Sequence, residues 1–184
     1  MSNYMENNNT ISLFGIKKGI ICQQCNCRGA YGAGLSGAIS KEFPEVFQAF
    51  ISFTNSFKTP DELLGNYQIV ILSDNLAVAN LFTQRDCGNS RTTGIKYTDT
   101  DKLVACIKEI AEKHPKLPIY LPHTIDKHGN QTGIGCGLAG EKWDVLEKRL
   151  SSLKLPNLCL LDTFSCATSS LNHSNAKTRS EAER

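Results

Sequence analysis

Residues 21–39 read Ile-Cys-Gln-Gln-Cys-Asn-Cys-Arg-Gly-Ala-Tyr-Gly-Ala-Gly-Leu-Ser-Gly-Ala-Ile. The run over 19–25 predicts a buried strand that ends at Asn26, followed by a loop with glycines at 29, 32 and 34. Leu35, Ala38, Ile39 and Phe43 then fall at helical spacing. A strand, a glycine loop and a helix in that order suit an anion. Glycine lets backbone N–H groups come close to a phosphate, and a helix N-terminus adds partial positive charge. The spacing is neither the dinucleotide fingerprint nor a Walker loop, since no Gly-Lys-Ser/Thr follows. By itself the stretch leaves two readings open: a phosphate-binding loop, or a tight turn between strand and helix.

The rest of the chain fills in an alternating pattern. A short strand is expected over 11–14. Helix continues over 45–53 after Pro44, with an apolar stripe of Val46, Phe47, Phe50 and Phe53 that reads as core. Apolar runs at 68–72 and 76–82, split by Ser73-Asp74-Asn75, predict a hairpin. The polar stretch 83–94 is long for a plain connection. Thr98–Asp101 offers helix caps, and Leu103, Ile107, Ile110 and Ala111 supply a buried face. A strand over 117–121 leads into a polar segment, 122–132, holding His123, Asp126 and His128. A second glycine loop, 133–140, opens a helix over 141–153, and a last strand covers 157–164.

Strands alternating with helices, with one hairpin, predict a three-layer α/β/α fold with a mixed central sheet. Ligands in such folds bind at the C-terminal ends of the strands. Both glycine loops fall there, and two such loops suit two linked phosphates. The expected organisation is a flexible N-terminus over 1–10, one domain over 11–164 and a disordered polar tail over 165–184.

Composition removes several function classes. A net charge of +2 argues against a protein built to coat nucleic acid. No apolar run approaches the ~20 residues of a membrane span. The N-terminus lacks the apolar centre of a signal peptide, so a cytoplasmic chain is expected. Its eight cysteines then read as reduced thiols, several packed as small hydrophobes. Cys22-x-x-Cys25 has no partner pair, which argues against zinc. No metal or cofactor is implied.

Asn26 with Gly32-Ala33-Gly34-Leu35, followed later by Gly133-Ile134-Gly135-Cys136-Gly137-Leu138-Ala139-Gly140-x-x-Trp143, resembles a macro domain. The similarity runs from about residue 11 to 164. It is greatest to the branch of phage and yeast ADP-ribose-1''-phosphate phosphatases and the terminal ADP-ribose protein glycohydrolase. The segment 79–84 and Tyr97 match that branch too. The resemblance implies a small-molecule ADP-ribose derivative as ligand. Asn26, Gly32, Ala33, Gly34 and Leu35 would meet the distal ribose and diphosphate, with Cys25, Arg28 and Gln84 beside them. Gly133, Ile134, Gly135, Cys136, Gly137 and Leu138 would wrap the diphosphate, where backbone N–H groups could lower the Cys136 pKa.

Three departures qualify that implication. Gly15-Ile16-Lys17-Lys18 stands where many macro domains carry Gly-Asp for adenine. Gln84 and Ala139 stand where the glycohydrolase carries its lysine and aspartate, so its lysyl-adduct mechanism is not expected. The segment 122–132 is an insertion. The leading expectation is a phosphatase (a hydrolase) acting on ADP-ribose-1''-phosphate, with Asn26 and His123 as catalytic candidates. The alternatives are a non-catalytic module for ADP-ribose, a cyclic relative or an ADP-ribosylated protein, and an ADP-ribosyl ester hydrolase.

Overall fold

A computed structural model describes residues 13–125 and 128–162. The expectations for residues 1–12, Asp126 and the tail after residue 162 lie outside the described residues. Six strands form one mixed sheet: β1 (Gly19–Asn26), β2 (Tyr67–Ile71), β3 (Leu76–Gln84), β4 (Ile119–Ile125), β5 (Gln131–Gly133) and β6 (Leu158–Asp162). β1 lies at the centre, parallel to β3 from Gly19↔Leu76 to Asn26↔Gln84. Gly19 to Gln23 and Cys25 are buried because helices cover both faces, while Gln24 and Asn26, toward the strand's end, are half-buried. β2 and β3 make the expected antiparallel hairpin.

The other side of β1 shapes the site. β1 pairs with β4 only at Ile20↔Ile119 and Ile21↔Tyr120. Beyond these two pairs the strands part. β6 holds one edge of β4 up to His123↔Asp162, so β5, which pairs His123↔Gly133 and Ile125↔Gln131, lies on the edge that β1 uses lower down. The split between β1 and the β4–β5 hairpin is the crevice that a change of strand partner opens at carboxyl ends.

The helices fall into two layers. On one face, α1 (Leu35–Glu42) stops at Phe43 and α2 (Pro44–Asn55) restarts at once. Pro44 has no N–H to continue the first helix, but its fixed φ suits the first position of the second. Val46 and Phe50 of α2 are fully buried. Phe50 stacks on Phe82 of β3 at 5.6 Å and meets Tyr31 at 4.6 Å. On the other face lie α5 (Thr100–Lys113) and α6 (Trp143–Ser152). Asp99 caps α5 by accepting from the Lys102 amide at 3.1 Å. Leu103, Ile107 and Ile110 show no exposure, each contributing about 1.5–3 kcal/mol by leaving water.

The sequence reading needs four corrections. Leu13–Gly15 forms a 3-10 turn, so the strand expected over 11–14 does not exist in its described part. The strand expected over 117–121 runs on through His123 to Ile125 as β4, and the polar segment after it returns as β5. The last helix begins at Trp143, because Gly140 and the buried Glu141 belong to the loop. A one-turn helix, α4 (Ser90–Thr93), interrupts the polar stretch 83–94, and another, α3 (Pro60–Leu63), lies where no element is expected.

Candidate functional site

A cavity of about 480 Å³ occupies the split, lined by the end of β1, both glycine loops, Gln84, Cys87, Gly88 and residues of the β4–β5 hairpin. No Asp, Glu, Lys or Arg is among its lining residues. The polar groups it presents are therefore uncharged side chains, the His123 imidazole and backbone groups.

The first loop closes on itself. Asn26 Oδ1 accepts from the amides of Arg28 (3.0 Å) and Ala30 (3.1 Å), and Asn26 Nδ2 donates to the Ala30 carbonyl at 2.6 Å. Ser36 Oγ donates to the Ala33 carbonyl at 2.8 Å and accepts from the Gly32 amide at 3.2 Å. Gly34 takes φ 57°, ψ −128°, a conformation closed to residues with a Cβ. As a result the amides of Ala33, Gly34, Leu35 and Ser36 donate to no acceptor among the described residues. Three of these four residues open α1 or cap it.

The second loop is closed by its neighbours. Ile134 donates to the Pro122 carbonyl at 2.9 Å, and Thr98 Oγ1 donates to the Gly135 carbonyl at 2.8 Å. The Leu138 carbonyl accepts from Ser90, and the Ala139 carbonyl from Tyr97 and Thr98. Glu141 anchors the far end. Its side chain is only 3% exposed, bonds the Thr100 hydroxyl and meets Lys96 Nζ at 3.1 Å. Gly135, Gly137 and Leu138 amides are left without an acceptor among the described residues.

His123 forms part of the cavity wall. Its ring lies 4.6 Å from the Trp143 indole, and Nε2 is 3.3 Å from Gln131 Oε1 on β5. Gly133 makes this possible: a Cβ there would sit 2.4 Å from the indole. The hairpin insertion thus holds the imidazole against the crevice.

Of the residues expected at the site, Cys25, Asn26, Ala33, Gly34, Leu35, Gln84, His123, Gly133, Ile134, Gly135, Gly137 and Leu138 line the cavity. Arg28, Gly32 and Cys136 do not. Arg28 meets Asp86 at 2.6 Å, and Asp86 also bonds Arg85, which pairs with Asp61. Gly32 is built into the loop, its carbonyl packed where a Cβ on Gly37 would fall 2.5 Å away. Cys136 is a correction: burial pushes its thiol up to about 11, outweighing the backbone hydrogen bond from Gly133. The amide of Asn26, expected to face a ribose, is largely engaged within its own loop.

Sequence reasoning missed Gln23, Gln24, Tyr31 and Cys87 at the cavity. The pair Gln23-Gln24 inside a strand otherwise apolar was the available signal, since buried amides need partners. Gln24 Nε2 bridges Thr83 and Thr98 at 3.2 Å each, tying β1 to the entrance of α5.

No family model matches the chain. It is 26% identical over 141 residues to an ADP-ribose 1''-phosphate phosphatase of Meyerozyma guilliermondii, covering 70% of this chain and 80% of that one. A Candida albicans phosphatase of the same name is likewise 26% identical, covering 73% and 81%. Among solved structures, a macrodomain protein of Streptomyces coelicolor superposes with a TM-score of 0.58 at 22% identity, over 80% of this chain and 89% of that one. Thermosipho africanus DarTG in complex with ADP-ribose superposes at 0.59 and 16% identity, over 84% of this chain and 40% of that one. The paired glycine loops, the split sheet between them and these likenesses agree: the chain has the macro-domain fold and is similar in sequence to the yeast ADP-ribose 1''-phosphate phosphatases.

Proposed function

We propose that this chain binds ADP-ribose and hydrolyses ADP-ribose-1''-phosphate to ADP-ribose and phosphate. The observation that carries this reading is that two loops lining one cavity, which has no Asp, Glu, Lys or Arg among its lining residues, carry amides with no acceptor among the described residues. Seven such amides, from Ala33, Gly34, Leu35, Ser36, Gly135, Gly137 and Leu138, suit a diphosphate. The yeast relatives' name supports the substrate. Hydrolysis needs water to attack phosphorus, the bond from phosphorus to the 1''-oxygen to break, and that oxygen to gain a proton. His123 is the imidazole on the cavity wall, and imidazole is the side chain suited to proton transfer near neutral pH. Remaining stabilisation comes from the amides, which need no reorganisation as charge develops.

A second reading, capture of ADP-ribose or an ADP-ribosylated protein without turnover, is favoured by one observation. The wall carries Gln84 and Ala139 and has neither a lysine nor a carboxylate. Phosphate release from ADP-ribose-1''-phosphate separates the two. The phosphatase reading expects release in the native protein and a loss of about a hundredfold or more in His123→Ala. ADP-ribose binding with no phosphate release would leave only the capture reading.

A further inference from the structure

Four residues lining the cavity carry hydroxyls: Tyr31, Ser36, Thr124 and Thr132. The Tyr31 hydroxyl accepts from Gln23 Nε2 at 2.7 Å, Ser36 Oγ is engaged within its own loop, and Thr124 is half-buried on β4. Thr132, on β5, is exposed, and its hydroxyl bonds nothing among the described residues.

The hairpin register decides what Thr132 shows to the cavity. The Ile134 amide donates to the Pro122 carbonyl, which makes His123↔Gly133 a non-hydrogen-bonded pair and Thr124↔Thr132 the pair that exchanges both backbone bonds. The N–H and C=O of Thr132 therefore point at β4. Its hydroxyl is the polar group that this cavity-lining residue turns outward. Alternation along the strands gives the side. Ile119 and Leu121 pack with Trp143 in the α5–α6 core, whereas Tyr120 packs against the cluster of Ile39 from α1 and Val46 from α2. Thr124 shares the face of Tyr120, and Thr132 opposite it does too. Thr132 thus stands on the α1 side of the hairpin, where Leu35 and Ser36 open that helix and line the same cavity.

We infer that Thr132 is a specificity-determining residue of the cavity, its hydroxyl donating a hydrogen bond to the terminal phosphate of ADP-ribose-1''-phosphate. This rests on the functional reading above. There the seven loop amides suit the diphosphate, so the third phosphate needs a donor from elsewhere. With no Asp, Glu, Lys or Arg on the wall, that donor is neutral. A threonine hydroxyl turns to suit its partner, and a hydrogen bond to a charged acceptor is of the stronger kind. Because Thr132 is exposed, its hydroxyl returns to water when the phosphate leaves, and ADP-ribose meets no penalty there.

The test compares ADP-ribose-1''-phosphate with ADP-ribose on the native protein, Thr132→Val and Thr132→Ser. Valine keeps the branched shape without the hydroxyl, and serine keeps the hydroxyl. In Thr132→Val, kcat/KM for phosphate release should fall about tenfold while inhibition by ADP-ribose stays as in the native protein. Thr132→Ser should recover most of the loss. An unchanged kcat/KM in Thr132→Val overturns the inference. So does an equal weakening of ADP-ribose, which would put the hydroxyl on the part that the two ligands share. Should Thr132→Val fail to fold, Thr132→Ala reads the same loss. Binding of both compounds without phosphate release breaks the phosphatase reading alone, and calorimetric affinities for the two compounds then decide the role of Thr132. Binding of neither compound overturns both.

Discussion

The two glycine loops serve one cavity but are held by different means. The first, after Asn26, is tied mainly by its own side chains: those of Asn26 and Ser36 bond partners within the segment 26–36, with outside ties only from Arg28 to Asp86 and from Tyr31 to Gln23 and its neighbouring phenylalanines. The second, from Gly133 to Gly140, is tied from outside by Pro122, Ser90, Tyr97, Thr98 and, through Glu141, Thr100 and Lys96. One loop carries its shape in local sequence. The other inherits it from elements distant in the chain.

Substitutions can break this contrast. The largest effect is expected at Glu141. Glu141→Ala leaves the Thr100 hydroxyl with Lys96 Nζ as donor but without its acceptor, and should cost about 1–3 kcal/mol in urea denaturation. Glu141→Gln, which keeps one of the two acceptor oxygens and drops the charge, should cost less. Equal losses in the two variants would count against the anchoring role.

Next comes Asn26. Asn26→Ala removes three hydrogen bonds from an exposed loop, a loss of about 1–2 kcal/mol. Asn26→Asp keeps both acceptor bonds and should retain most of the stability. Hydrogen exchange should rise at the amides of Arg28 and Ala30 in the alanine variant only, and a rise extending through the second loop would erase the contrast.

The smallest effect concerns the exposed ion pairs beside the first loop. Arg85 holds the Asp61 carboxyl, and Arg28 with Arg85 the Asp86 carboxyl, below the usual carboxylate range. A depressed carboxyl stabilises the fold above its unfolded pKa of about 4 and loses that contribution as pH falls through its folded value. Urea midpoints should therefore drop in acid slightly more for the native protein than for Arg85→Gln. Identical acid profiles would assign the pairs no role.

The same contrast explains what was legible in the sequence. The first loop could be read because its determinants are local: a strand end, Asn26, Gly34 and Ser36. The fold class followed from the alternation of apolar runs, and the β2–β3 hairpin from Ser73-Asp74-Asn75. The second loop could be placed but not built, since no local signal shows that Ser90 or Thr98 reaches it. The β4–β5 hairpin hid inside a polar segment because β5 is exposed at Gln131 and Thr132, which leaves no apolar alternation to read. Arg28 looked like a ligand contact because nothing local announced Asp86. Gln23 was hidden for the same reason, since the amide it bonds, Asn80, lies 57 residues on.

The placement of β1 also bears on how the chain is made. Among the described residues it is the first strand to be synthesised and lies inside the sheet, yet both its neighbours come much later, β3 at Leu76 and β4 at Ile119. The nascent chain must carry the segment Gly-Ile-Ile-Cys, with nothing local to pair with, until the β2–β3 hairpin has emerged. That hairpin forms from neighbours and offers β3 as a ready edge, so it can act as the template on which the older strand docks. Ile20 and Ile21 then wait for β4 before the split above them, and the cavity within it, can exist.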